Sequence, residues 1–242
     1  MKLAAATLVV SLALASLLAS RAEAAVSRAP KSYAVFLATY DPTTGHAVGG
    51  VAGSAFFVTP TKAITAYHVL QPKSFSNPRT QVWLVHEGEP AIALSARDLR
   101  ASPSNDKTEI ELSTARAPAR HVFSVAVPKA GDRVETDGFL ANTTGPLLAI
   151  DDTPTEAGGP RLKITSVPHL ERLHAEGHIL RELNVELASS DVNLKNTACV
   201  QLSYKPIVGL SGGPVFTGNH VIGMNSFADP AARESTWAVK VN

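Results

Sequence analysis

Gly209-Leu210-Ser211-Gly212-Gly213-Pro214 sets a serine hydroxyl among glycines. Glycine permits tight turns and lets a carbonyl substrate approach the backbone closely, which suits a serine to nucleophilic attack. In such a turn the N–H groups of Gly209 and Ser211 can converge on one point and hold an oxyanion. Taken alone, the segment also reads as a plain glycine-rich turn. Thr65-Ala66-Tyr67-His68-Val69-Leu70 carries a histidine just past a small, apolar strand end. An imidazole there can meet a serine across a cleft, although a lone histidine in such a run also reads as a partly buried side chain. Asp106-Lys107-Thr108-Glu109-Ile110-Glu111-Leu112 brings carboxylates to the start of a strand. In chain order the three segments give histidine, acid, serine, one of the known orders of a Ser-His-carboxylate triad.

The elements that must position these groups read as short strands. Tyr33 to Tyr40 precedes the turn Asp41-Pro42-Thr43-Thr44-Gly45, where proline presets φ and glycine accepts a positive one. Gly53 to Val58 and Ala63 to Ala66 flank Thr59-Pro60-Thr61-Lys62, a hairpin signal. Val82 to Val85, Ile92 to Ala96, Ile110 to Leu112 and His121 to Val127 continue the series. Arg133 to Leu140, Leu147 to Ile150, Leu162 to Thr165, Asn184 to Ala188 and Ala198 to Ser203 follow. Pro214 to Phe216, Val221 to Asn225 and Thr236 to Val241 complete it. Many short strands with turn signals between them predict an all-β sandwich or barrels. Leu170, Leu173 and Ile179 near helical spacing predict a helix over Pro168 to Glu182. Ala115 to Ala119, with Pro118, is the expected crossing between two lobes.

The composition bounds the function. The 242 residues carry 22 basic and 21 acidic side chains, a net charge of +1, and no electrostatic footprint for nucleic acid. A single cysteine, Cys199, closes no intramolecular disulfide, so the fold must hold by packing; Cys199 reads as a small buried apolar residue. Lys2, the apolar run Leu3 to Leu18 and Ala22-Glu23-Ala24 have the order of a secretory signal peptide over residues 1–24. The run falls short of the roughly 20 residues a membrane span needs. The expectation is an exported protein, periplasmic or extracellular, with no membrane span after signal removal. His169, His174 and His178 lie together, but no HExxH pattern or cysteine partner supports a metal, so no metal or cofactor is expected.

These motifs resemble those of the trypsin-like serine proteases, nearest their bacterial, disulfide-free branch. Gly53-Ser54-Ala55-Phe56-Phe57-Val58 with Thr65-Ala66-Tyr67-His68 is similar to the family's G-S/T-G-F and T-A-x-H block, and residues 209–214 match its G-x-S-G-G-P block. Residues 221–227 resemble the family strand that walls the primary pocket and 236–241 the strand that follows it, while residues 140–200 match nothing specific. The resemblance implies two six-stranded antiparallel β-barrels of the chymotrypsin type, about 30–128 and 129–242, with the active site in the cleft between them. It implies a serine endopeptidase acting on polypeptides through an acyl-enzyme; the alternative is a catalytically weak or inactive protease-fold binding protein. A monomer is expected. An α/β-hydrolase would need its acid and histidine after the serine, which this order lacks.

Residue roles follow by the same resemblance. Ser211 is the nucleophile, His68 the base, and Gly209 with Ser211 the oxyanion hole. The family's Asp followed by Ile/Leu-Ala-Leu falls on Glu109-Ile110-Glu111-Leu112, which makes Glu109 the expected acid and Asp106 its alternative. Lys205 falls where the family sets the residue at the base of the primary pocket, and Asn225, Ser226, Phe227 and Ala228 fall on its wall. Leu210 stands where animal enzymes carry an Asp that receives a new N-terminal amine, so no trypsin-like zymogen cleavage is expected. With 31 residues after Ser211, no C-terminal PDZ domain is expected.

Overall fold

A computed structural model describes residues 30–115, 122–123, 128–141, 147–154, 160–166, 170–218, 220–228 and 234–241. The expected signal peptide at 1–24, His169 and part of the expected crossing at 115–119 lie outside these residues. The first sheet holds β1 (Ser32–Asp41), β2 (His46–Phe57), β3 (Lys62–Ala66), β4 (Thr80–Val85), β5 (Ile92–Leu94), β6 (Leu99–Ser102) and β7 (Lys107–Glu111). Their spatial order is β5-β4-β1-β2-β3-β7-β6. Next come β8 (Val122–Phe123), β9 (Arg133–Phe139) and a separate hairpin of β10 (Leu147–Pro154) and β11 (Pro160–Ser166). The remaining strands are β12 (Arg172–Ala188), β13 (Asn193–Leu202), β14 (Pro214–Thr217), β15 (His220–Ala228) and β16 (Thr236–Val239).

The second sheet runs β14-β9-β12-β13-β16-β15, and β14 pairs back onto β15, so six strands close on themselves. The short β8 adds a seventh, parallel to β15. Each sheet therefore has seven strands where six were expected. In the second sheet this closure removes edges, and each sheet turns the side chains of alternate strand positions toward a buried interior. The two sheets share one core. Phe56, Leu84 and Ile110 of the first pack in the same cluster as Phe216, Val221 and Met224 of the second. No disulfide is needed for that junction, and Cys199 is buried and free.

One element departs from the sequence reading. The helix expected over Pro168 to Glu182 is strand: Arg172 to Ala188 form β12, paired with β9 and β13. Its inward positions are Leu173, Ala175, Gly177 and Ile179, a period of two. Two of these four are small, which blunted the alternation and let Leu170, Leu173 and Ile179 mimic a helical stripe. Gly177 is small for cause, since a Cβ there would lie 2.7 Å from Ser203 Oγ.

A polar pin joins the sheets beside β1. The His86 ring, 9% exposed, donates from Nδ1 to the Glu87 carbonyl (2.7 Å) and accepts at Nε2 from Arg172 (2.7 Å). Tyr33 and Phe139 pack against its ring. Burial holds the imidazole below its ordinary pKa; the Glu87 carbonyl opposes this, Lys31 and Arg172 add to it, and Glu89 opposes. The unfolded chain thus binds the proton first, so this contribution is present at neutral pH and lost as pH falls below about 6.5. Urea midpoints should fall between pH 7.5 and 5. His86→Phe should cost about 1–3 kcal/mol at pH 7.5 and flatten that dependence; an unchanged slope would show the titration lies elsewhere.

Candidate active site

β3 ends at Ala66, and a tight turn follows in which Val69 and Leu70 both donate to the Ala66 carbonyl (3.1 Å each). His68 sits on this turn with its side chain 19% exposed. Its backbone N–H donates to Asp106 Oδ1 (3.0 Å), and its ring Nδ1 lies 2.9 Å from Oδ2 and 3.1 Å from Oδ1. A carboxylate only accepts, so Nδ1 carries the proton and Nε2 keeps its lone pair in the neutral ring. Asp106 is fully buried and left-handed, at φ 43° and ψ 41°. Asp tolerates that region better than most side chains. Its carbonyl accepts from Tyr67 N–H (3.0 Å), and its carboxylate takes a further hydrogen bond from the Ser226 hydroxyl. Three donors therefore replace the water this buried carboxylate has lost.

Glu109 does not reach His68, which corrects the expected acid. In β7, Thr108 and Ile110 face inward, and Glu109 lies on the opposite face by strand alternation. Its carboxylate meets Lys62 (2.8 Å) and Lys107 (3.1 Å). The Lys62 hydrogen bond, opposed by partial burial and aided by Lys107, holds it below the usual carboxylate range. Asp106, the alternative, precedes the strand and escapes its alternation.

The segment around Ser211 is pinned from both sheets. Ser54, wholly buried in β2, donates from its N–H to the Ser211 carbonyl (2.8 Å) and from its hydroxyl to the Gly209 carbonyl (2.8 Å). The same hydroxyl accepts from Phe139 N–H (2.9 Å). Gly212 has φ +83°, and a Cβ there would lie 2.0 Å from the Ser54 carbonyl and 3.0 Å from Ala66 N. Gly212 N–H donates to Asn225 O (2.9 Å), and Asn225 N–H donates to Gly213 O (2.9 Å). Hydrogen bonds and short stretches of chain thus link Ser211 and Gly212 to Asn225 and Ser226, and these to Asp106 and His68.

Peptide directions along this loop matter. In a trans peptide the C=O and N–H point in opposite senses. The Val208 carbonyl accepts from Ala141 N–H (3.5 Å) and the Leu210 carbonyl from Gly213 N–H (2.8 Å). The N–H groups of Gly209 and Ser211 are thereby turned away from those partners, and neither donates to an acceptor among the described residues. Leu210 N–H, between them, is held by the Ile207 carbonyl (3.1 Å).

The expected pocket residues divide. Asn225 is buried with its amide engaged by Tyr204 OH and Thr136 Oγ1, both 2.5 Å, so it braces the wall from within. Ser226 serves Asp106, a role that its place among pocket residues did not suggest. Phe227 stacks on Trp237 with centroids 6.0 Å apart, and Ala228 is exposed at the end of β15. Lys205 lies at the surface beside Glu234 (3.2 Å), with 71% of its side chain exposed, and is not a pocket floor. Of the three histidines considered for a metal, His174 lies near Glu135 and Glu176, their ligand atoms within 4.8 Å. Arg133 already holds Glu176 at 2.6 Å and Asp137 holds His174 at 2.7 Å, so the group reads as an exposed ion-pair lattice.

Two curled antiparallel sheets with this site at their junction define the chymotrypsin-type fold of the trypsin-like serine proteases. Among solved structures, the Rv3671c protease of M. tuberculosis in its active form is similar at 15% identity and a TM-score of 0.56, over 89% of this chain and 78% of that one. The HtrA-type protease AlgW with a decapeptide is similar at 15% identity and a TM-score of 0.57, over 90% of this chain and 63% of that one. A serine endoprotease from Yersinia pestis is similar at 16% identity and a TM-score of 0.53, over 89% and 61%. This chain thus spans less than two thirds of the latter two. No protein-family model and no curated protein matches the sequence.

Proposed function

We propose that the protein is an exported serine endopeptidase in which Ser211, His68 and Asp106 act as the triad. The observation that carries this reading is the circuit of hydrogen bonds that ties Asp106 to His68 and Ser226, and Ser226's strand to the Ser211 loop. Ser211 Oγ attacks the scissile carbonyl while its proton passes to His68 Nε2. The carbonyl oxygen becomes an oxyanion held by the N–H groups of Gly209 and Ser211. As the C–N bond breaks, His68 returns the proton to the leaving amine and Ser211 remains acylated. Water then attacks the ester, giving its proton to His68, and collapse frees the acid and restores the Ser211 hydroxyl. Asp106 holds the ring in the Nδ1–H tautomer and stabilises the imidazolium of each step.

The Ser54 hydroxyl fixes the Gly209 carbonyl within the folded chain, and Leu210 is buried. This supports an enzyme active without an ion pair from a newly cut N-terminus. The sequence of residues 1–24 supports export to the periplasm or beyond, and polypeptides are the proposed substrates. The test is casein and peptide-library cleavage, with diisopropyl fluorophosphate labelling, by the wild type and Ser211→Ala. Wild-type cleavage with one labelled serine, both abolished in Ser211→Ala, is expected. A folded wild type that neither cleaves nor labels would make it a protease-fold binding protein.

A further inference from the structure

The loop that presents Asp106 is held from the second sheet at a point remote from Ser226. The turn Pro103–Asn105 leads directly into Asp106, whose N–H donates back to Pro103 O (3.2 Å). Thr197 of β13, 5% exposed, reaches this turn across the junction between the sheets. Its hydroxyl lies 2.7 Å from the Ser104 carbonyl and 3.2 Å from Asn105 Oδ1. One proton serves the contact, and the Ser104 carbonyl is its nearer acceptor.

A bulge aims Thr197 there. Val185 pairs with Thr197 and Leu187 with Leu194, so β13 carries one residue more than β12 over this step. Asn196 takes up the extra residue at φ 50°, and Asn184 Nδ2 holds its side-chain oxygen (3.0 Å). In a regular strand Leu194 and Thr197, three apart, would face opposite ways. Here both are buried, as is Cys199. Bulges re-aim side chains in this manner, often beside functional sites.

We infer that Thr197 is a positioning residue for Asp106, which it holds through the Ser104 carbonyl and the Pro103–Asn105 turn. The inference rests on the triad reading. Asp106 occupies a left-handed conformation that the chain must stabilise, and its carboxylate must face the His68 Nδ1 proton at hydrogen-bond distance. Ser226 grips the side chain, and Thr197 grips the backbone that sets where that side chain starts. The acid is thereby referenced to the same sheet that carries Ser211, although its own strand belongs to the first sheet.

The experiment compares Thr197→Val, which removes the hydroxyl at nearly constant shape, with Thr197→Ser, which keeps it, and with Thr197→Ala as a smaller second variant. Two signals are read: the rate of diisopropyl fluorophosphate labelling and the His68 Nδ1 proton resonance. The expected result is labelling slowed about ten- to a hundredfold in Val and Ala, a shifted or broadened Nδ1 resonance, and recovery of both in Ser. A folded Val variant with wild-type labelling and resonance would overturn the inference. So would loss of folding in both Val and Ala, since Thr197 would then be a folding residue. Failure of the wild type to label would refute the triad reading, while the Nδ1 resonance would still report whether Thr197 positions Asp106.

Discussion

Asp106→Asn is expected to lower kcat by about 10⁴-fold, the size of the effect when a triad imidazole is held in the wrong tautomer. The carboxylate of Asp106 receives two donors from His68 and one from Ser226. An amide has only one oxygen, and the His68 backbone N–H competes for it. The amide N–H₂ then faces Nδ1, so the ring must accept there and carry its proton on Nε2. A ring protonated at Nε2 cannot take the Ser211 proton. Asn is nearly isosteric and also tolerates positive φ, so the fold should survive and KM should change little. Glu109→Gln is the contrasting variant, expected within about twofold of the wild type, because a part-exposed pair with Lys62 and Lys107 contributes little. Steady-state rates on one peptide substrate decide the matter. Comparable losses in both variants, or in neither, would remove Asp106 from the triad.

The second large effect is expected at Gly209. It has φ +106°, where a side chain is strained, and a Cβ would lie 2.1 Å from the Phe139 carbonyl and 2.4 Å from Ala141 N. Those are backbone atoms and cannot rotate away. Gly209→Ala should therefore displace the loop, break the Ser54 hydroxyl bond to the Gly209 carbonyl, and turn the Gly209 N–H from the oxyanion position. Loss of one such donor costs about 10²–10³ in kcat, and the strain should lower stability by about 1–3 kcal/mol. Activity on peptide substrates and urea unfolding read the two effects separately. Gly131, with φ +94° and open space around its Cβ position, is the control for strain alone. If Gly209→Ala and Gly131→Ala behaved alike, the oxyanion role would fail.

How much was legible in advance depends on how local each signal is. The Ser211 turn and the His68 strand end are written in contiguous residues, because glycine conformation and strand termination are decided within a few positions. The all-β class was readable for the same reason, since alternation and turn residues act locally. The acid was not. Glu109 and Asp106 lie three residues apart, and the choice turns on which face of β7 points inward and on one left-handed residue before it. In β12 the small Ala175 and Gly177 hide the inward face from a sequence reading, and only the crowding against Ser203 and Tyr204 explains why Gly177 must be small.

By itself, then, the sequence determined the glycine-flanked Ser211 turn, the His68 strand end and a chain of short strands with a single cysteine. The tertiary structure alone decided which carboxylate meets the imidazole, that Lys205 sits at the surface, and that Ser54, Ser226 and Thr197 tie the site together. Those ties join residues far apart in sequence, 155 positions for Ser54 and Gly209. Contacts across such separations depend on strand register, bulge position and sheet closure. They are fixed only when both sheets have packed around a shared core.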